Sequence, residues 1–158
     1  ADNAGVDLEG QPKNKKKTPI QIIFRYEIPD YAMQGEKEML FKPLVMNNLY
    51  NQVRSYLRID TSLKERKYGF KDGCSRLVEL DETIQLPAGY KLANADKNET
   101  MQGTGADFEG SLAQQGNKVL LHNKLALKKR VYEAADWDSF RNAVNAHKAY
   151  GEYLVIKK

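Results

Sequence analysis

Few residues in this chain are equipped for covalent chemistry: one cysteine, Cys74, and two histidines, His122 and His147. A cysteine nucleophile needs a thiolate, a base within hydrogen-bond reach and a third group that orients the base. Cys74 follows the turn Lys71-Asp72-Gly73, and His122 sits on a strand face opposite Leu121 and Leu125. His147 falls on the apolar face of a late helix. No spacing brings the three together, so Cys74 reads as an inert turn cysteine and both histidines as structural. Two histidines at this separation also make a poor metal site. A single cysteine excludes an internal disulfide and any multi-cysteine zinc site.

The carboxylates offer little more. Asp136 and Asp138 suit a helix cap and first turn, where the helix dipole favours acids. Glu79 and Asp81 share a strand face, but it is the polar one, and general acid and base work needs a cleft that shifts pKa values. Gly103-Thr104-Gly105 with Gly110 has the wrong spacing for a dinucleotide fingerprint and no strand-turn-helix context, so these read as flexible turn glycines. Asn98-Glu99-Thr100 matches a glycosylation sequon, a short pattern common by chance. Tyr26, Tyr31, Tyr90, Trp137 and Tyr153 could line a sugar-binding face, yet most share phase with core residues, and the core reading is preferred. No catalytic, cofactor-binding or metal-ligating residue is assigned, and no cofactor is expected.

The elements explain why. Ile20, Ile22, Phe24, Tyr26 and Ile28 alternate with mostly polar residues, the period of a half-buried strand, and Pro29 ends the run. A second strand is expected over Glu38 to Leu44, after a turn at Gln34-Gly35. Residues 45–70 read as an irregular connection with a short helix or strand. Val78, Leu80, Ile84 and Leu86 then share one parity, and Glu79, Asp81, Thr83 and Gln85 the other; Pro87-Ala88-Gly89 closes this strand, and Tyr90 and Leu92 continue it briefly. Two further alternating runs, through Phe108 to Leu112 and Val119 to Leu127, flank Gln115-Gly116-Asn117 and predict a hairpin. Trp137, Phe140, Val144 and His147 lie on one helical face, with Gly151 placed to stop the helix in a left-handed cap. Tyr153 to Ile156 make a last strand. The expected fold is mainly β, an antiparallel β-sandwich with one C-terminal helix on an edge or end and a final strand.

At 158 residues the chain fits one domain, long enough to bury roughly 70% of its unfolded surface. Residues 1–17 read as a linker or disordered arm, and 18–158 as a single domain. The formal charge is +4. Lys13, Lys15, Lys16 and Lys17 cluster in the expected linker, where a solvated run is the simpler reading, and no basic face interleaved with aromatics predicts nucleic-acid binding. No apolar run approaches the length of a membrane span. The chain opens Ala1-Asp2-Asn3 without an initiator Met, from which a processed or excised segment is expected.

Two stretches carry a family resemblance. Thr83-Ile84-Gln85-Leu86-Pro87-Ala88-Gly89-Tyr90 is a strand ending in an LP-x-GY turn, and Val131-Tyr132-Glu133-Ala134-Ala135-Asp136-Trp137-Asp138-Ser139-Phe140-Arg141 opens a helix that leads to Tyr153-Leu154-Val155-Ile156-Lys157-Lys158. With Ile28-Pro29-Asp30-Tyr31 and Gly35 through Pro43, they resemble the C-terminal domain of unknown function that follows a transglutaminase-like domain in secreted proteins of Bacteroides-type bacteria. The resemblance spans about residues 18–158. It implies a periplasmic or extracellular accessory domain whose partner is an upstream cysteine-protease-type domain. Cys74 does not match that domain's motif, so no catalytic residue carries over. The expected role is non-catalytic, supporting the upstream domain's structure or packing. A surface module binding carbohydrate or protein, and an enzyme fragment using Cys74, are the alternatives.

Overall fold

In the computed structural model, residues 6–7, 23–24, 28–47, 59–93 and 96–158 are described. The chain divides into two compact units, 1–31 and 32–158. In the first, strand β1 (Val6–Asp7) pairs antiparallel with β2 (Ile23–Phe24), Val6 opposite Phe24. The strand expected over Ile20–Ile28 lies mostly outside the described residues; β2 falls within it, and Ile28 is exposed.

The second unit runs β3 (Met33–Gln34), β4 (Glu38–Phe41), helix α1 (Leu44–Asn47), β5 (Phe70–Lys71), β6 (Arg76–Gln85), β7 (Lys91–Leu92), β8 (Lys97–Met101), β9 (Ala106–Gln115), β10 (Lys118–Leu127), β11 (Val131–Tyr132), α2 (Trp137–Ala149) and β12 (Leu154–Lys157). The fold is mostly β and antiparallel. One sheet has the order β6-β10-β9-β8, a second β3-β4-β12-β7, and β5 pairs with β11 as a separate ribbon. β4 stops three residues short of the expected Leu44, because Pro43 has no N–H to continue a ladder.

The period-2 patterns hold where they were clearest. In β10, Val119, Leu121, Leu125 and Leu127 are buried, and in β6 Leu80 is buried while Glu79, Asp81, Thr83 and Gln85 face water. Phe41, Leu154 and Ile156 of the second sheet join the same core as the first sheet's inner face. In the LP-x-GY turn, the Tyr90 N–H donates to Pro87 O, with Gly89 at φ +85°. That is the geometry a type II turn requires at its third residue. Tyr90 and Leu92 do not continue β6, contrary to expectation: the turn carries the chain into the other sheet, where β7 pairs with β12.

α2 settles the helix placement differently from expectation. It packs on β9 and β10, the two central strands, rather than on an edge or end. Its apolar stripe is why: Trp137, Phe140, Val144 and His147 are all buried, as their spacing predicted, and need an equally apolar surface. The helix ends without the expected left-handed cap. Tyr150 is right-handed, Gly151 has no positive φ, and Gly151 N–H donates to Lys148 O.

Gly103 and Gly105 lie in the turn between β8 and β9, as expected, but Gly110 does not, and packing rather than flexibility selects glycine at all three. Gly110 lies within β9 beneath the Tyr150 ring, where an added Cβ would come within 2.7 Å of Tyr150 Cζ. At Gly103 and Gly105 a Cβ would strike Ser139 and Asp136 at the start of α2. Close approach, not freedom, selects glycine there.

Candidate functional site

The outer face of the β6-β10-β9-β8 sheet gathers polar and charged side chains from four strands. Antiparallel pairing places directly opposed residues on one face. Asp81 lies opposite His122, which lies opposite Ser111, which lies opposite Asn98; four strands thus contribute one row. The adjacent row is Glu79, Lys124, Glu109 and Thr100. Asp81 Oδ1 is 2.7 Å from His122 Nδ1 and Lys124 Nζ is 4.0 Å from Glu79. A shallow depression of about 170 Å³ opens beside these rows, lined by Thr100, Gln102, Asp107, Glu109, Lys124 and Ala126. At its rim Lys128 Nζ sits 2.7 Å from Asp107, which also accepts the Gly103 N–H. The Lys128 hydrogen bond, with that N–H, holds the Asp107 carboxyl below the usual aspartate range.

Asp81, His122 and Ser111 have the order of a charge relay, and the aspartate orients the ring through Nδ1 as such a relay requires. The remaining requirements are not met. No hydrogen bond joins the Ser111 hydroxyl to His122 among the described residues, and Asp81 is 75% exposed, so the pair sits in water-like dielectric. What this face can offer a ligand is hydrogen bonding and charge of both signs over an open, rigid sheet.

A family model described as a domain of unknown function with solved-structure structure (DUF3858) matches residues 37–155. The chain belongs to the DUF3858 family. The match contains the 83–90 turn and the 131–141 helix start, while residues 18–36 and 156–158 of the expected resemblance fall outside it. Among solved structures, a candidate protease from Parabacteroides distasonis shares the fold with a TM-score of 0.61 at 14% identity. The similarity covers 78% of this chain and 24% of that one, so the chain spans about a quarter of that structure's length. No curated protein matches.

The DUF3858 fold disperses the residues singled out in the sequence. Cys74 is exposed in the loop before β6. His122 faces Asp81 five residues along β6 from its first residue, roughly 16 Å from that end at strand rise. His147 is fully buried, its Nδ1 hydrogen-bonded to Asn123 Oδ1, while Asn123 Nδ2 donates to the His147 carbonyl. Asp136 is at the start of α2, but its side chain makes no bond to that helix. It reaches back to the Glu133 N–H, closing the short turn 134–136, and accepts both bonds from Lys129 Nζ. Asp138 stays in the first turn of α2, 3.9 Å from Arg141. Of the aromatics, Trp137 belongs to the core and Tyr90 packs against that core. Tyr153 is exposed beneath Lys42, Tyr31 is partly exposed, and Tyr26 lies outside the described residues.

Two features escaped sequence reasoning. Asn123 interrupts the apolar parity of β10, and that interruption was its signal: a polar side chain in a core register demands a partner. The Asp81–His122 contact had no local signal, because it joins positions 41 residues apart. Among the described residues no cluster of three metal-ligating side chains occurs, and no helix is long and apolar enough to cross a membrane.

Proposed function

We propose that this DUF3858 domain is a non-catalytic accessory domain that follows a transglutaminase-like, cysteine-protease-type domain and supports its structure or packing. The observation that carries the reading is one of proportion. The shared fold covers 78% of this chain but only 24% of the candidate protease. The dispersal of Cys74, His122 and His147 agrees with a role outside the chemistry. A periplasmic or extracellular setting belongs to the same proposal, and cell fractionation tests it.

The test is to produce the parent polypeptide with and without residues 32–158 and to compare its folding and peptidase activity. Deletion should destabilise the protein or remove activity, while the isolated chain cleaves nothing. A fully active and stable truncation would defeat the proposal. The open depression on the outer sheet face favours a second reading, a surface module for carbohydrate or protein. A glycan array negative across many glycans would remove its carbohydrate form.

A further inference from the structure

The segment from Thr61 to Lys71 is held firmly, yet most of its own side chains point to solvent. Trp137 Nε1 donates to the Leu63 carbonyl at 3.0 Å, and the Arg66 guanidinium lies 4.8 Å from the centres of both the Phe70 and Trp137 rings. Thr61 Oγ1 bonds to Asn145 at 2.7 Å, and Lys148 reaches the same hydroxyl. Gly69 lets the segment press onto β11, since a Cβ there would stand 2.4 Å from the Tyr132 carbonyl oxygen. Phe70 stacks on Tyr132 with ring centroids 4.6 Å apart. The core's largest aromatics thus serve to fix an exposed strip.

The strip displays apolar and basic side chains side by side. Tyr68 is 79% exposed and Leu63 49%, and Val131, paired with Lys71 across the ribbon, is 60% exposed. Lys64, Lys67 and Lys71 are exposed along it, and Arg130 lies beside its end, where the Arg130 carbonyl accepts the Asp72 N–H. Among the described residues none of these cations forms an ion pair. Glu65 is the one acid within 63–71, with Glu133 opposite Gly69 across the ribbon. Tyrosine and arginine, here Tyr68 and Arg130, are residue types that interface hot spots favour, and a strip already held in place leaves little ordering cost on binding.

We propose that this ridge, Leu63 to Lys71 with Arg130 and Val131, docks on an acidic face of the preceding domain of the same polypeptide. This rests on the accessory-domain reading and deepens it by naming the surface and the charge of its partner. Leu63 and Val131 gain from burial against protein and little against phosphates, which favours a protein partner over nucleic acid.

The experiment mixes the 158-residue chain with the separately produced preceding part of its parent and measures association by titration calorimetry at low and physiological salt. Association should weaken as salt rises. Reversing Lys64, Lys67, Lys71 and Arg130 to Glu together should weaken it by at least about tenfold, and Tyr68→Ala alone by about tenfold. Lys118→Glu, at the opposite end of β10, should leave it unchanged. All variants should keep the wild-type unfolding midpoint, since every substituted side chain is exposed. Association indifferent to both the reversal and Tyr68→Ala overturns the surface and spares the accessory reading. No association overturns both. Binding of a duplex oligonucleotide that the reversal abolishes, without association of the preceding domain, overturns the choice of partner.

Discussion

Asp136 holds its charge on a side chain only 4% exposed, just where the chain turns into α2. The Lys129 ammonium, then Thr104 and the Glu133 N–H, stabilise the carboxylate and hold its pKa below the usual aspartate range, outweighing the cost of burial. A depressed folded pKa contributes stability that is present above the unfolded value, about 3.9, and is lost as pH falls through the folded one. Asp136→Asn should therefore cost about 1–2 kcal/mol near neutral pH, discounted because Lys129 is itself 40% exposed. Urea unfolding of both proteins at about pH 6 and about pH 3 checks this. The difference should shrink at the acid end; a difference that grew there would show that the charge is not what Asp136 contributes. Sequence reasoning placed this residue correctly at the helix start and misassigned its bond. The side chain closes the turn before the helix because Lys129 and the Glu133 N–H lie behind it, an arrangement no local pattern displays.

Among the elements, β6 carries the instructive exception. Glu82 shares parity with Leu80 and Ile84 and so points to the inner face, opposite Leu121. Its carboxylate accepts the N–H groups of Leu44 and Val45 at 2.9 and 3.1 Å and so ties α1 to the sheet. Burial nevertheless raises its pKa against those two bonds. For a raised carboxylate the sign is the reverse of Asp136: the contribution is full below the unfolded pKa and fades as pH rises through the folded one. The stability of the wild-type protein relative to Glu82→Gln should thus improve on going from about pH 7 to about pH 4. Chemical unfolding at the two pH values measures it, and a trend of opposite sign would remove burial as the dominant influence on Glu82. The long strands and α2 were legible element by element, since each repeats its apolar period over ten or more residues. The ribbon of β5 and β11 was not, because two-residue strands are too short to display a period.

On the scale of the whole molecule, every buried core residue described, from Phe41 to Ile156, belongs to the unit 32–158. A chain starting at Ala32 should therefore unfold cooperatively, with a midpoint within a few degrees of the full chain. Thermal unfolding followed by circular dichroism checks it; a broad, non-cooperative transition would mean that residues 1–31 supply stability the core does not. The match to DUF3858, beginning at residue 37, falls inside the same unit. Its proportion to the longer neighbour is what makes an interdomain role the leading proposal, and interdomain surfaces are ordinarily of the modest, mixed character seen on the 63–71 ridge.

By itself the sequence determined the faces. Parity divided β6 and β10 into a wet side and a dry side, the 3.6-residue period selected the buried stripe of α2, and Pro87-Ala88-Gly89 marked a turn that needs a positive φ. These properties come from bonds and angles within a few residues, so a short window contains them. Tertiary structure alone decided the partners: β10 between β6 and β9, α2 on the central strands, Asp81 facing His122, Asn123 meeting His147, Tyr150 over Gly110. Loop-closure entropy changes only slowly with the length of chain enclosed, so distant pairings compete on nearly equal terms. The choice among them falls to the packing of the whole core, which no single stretch of sequence contains.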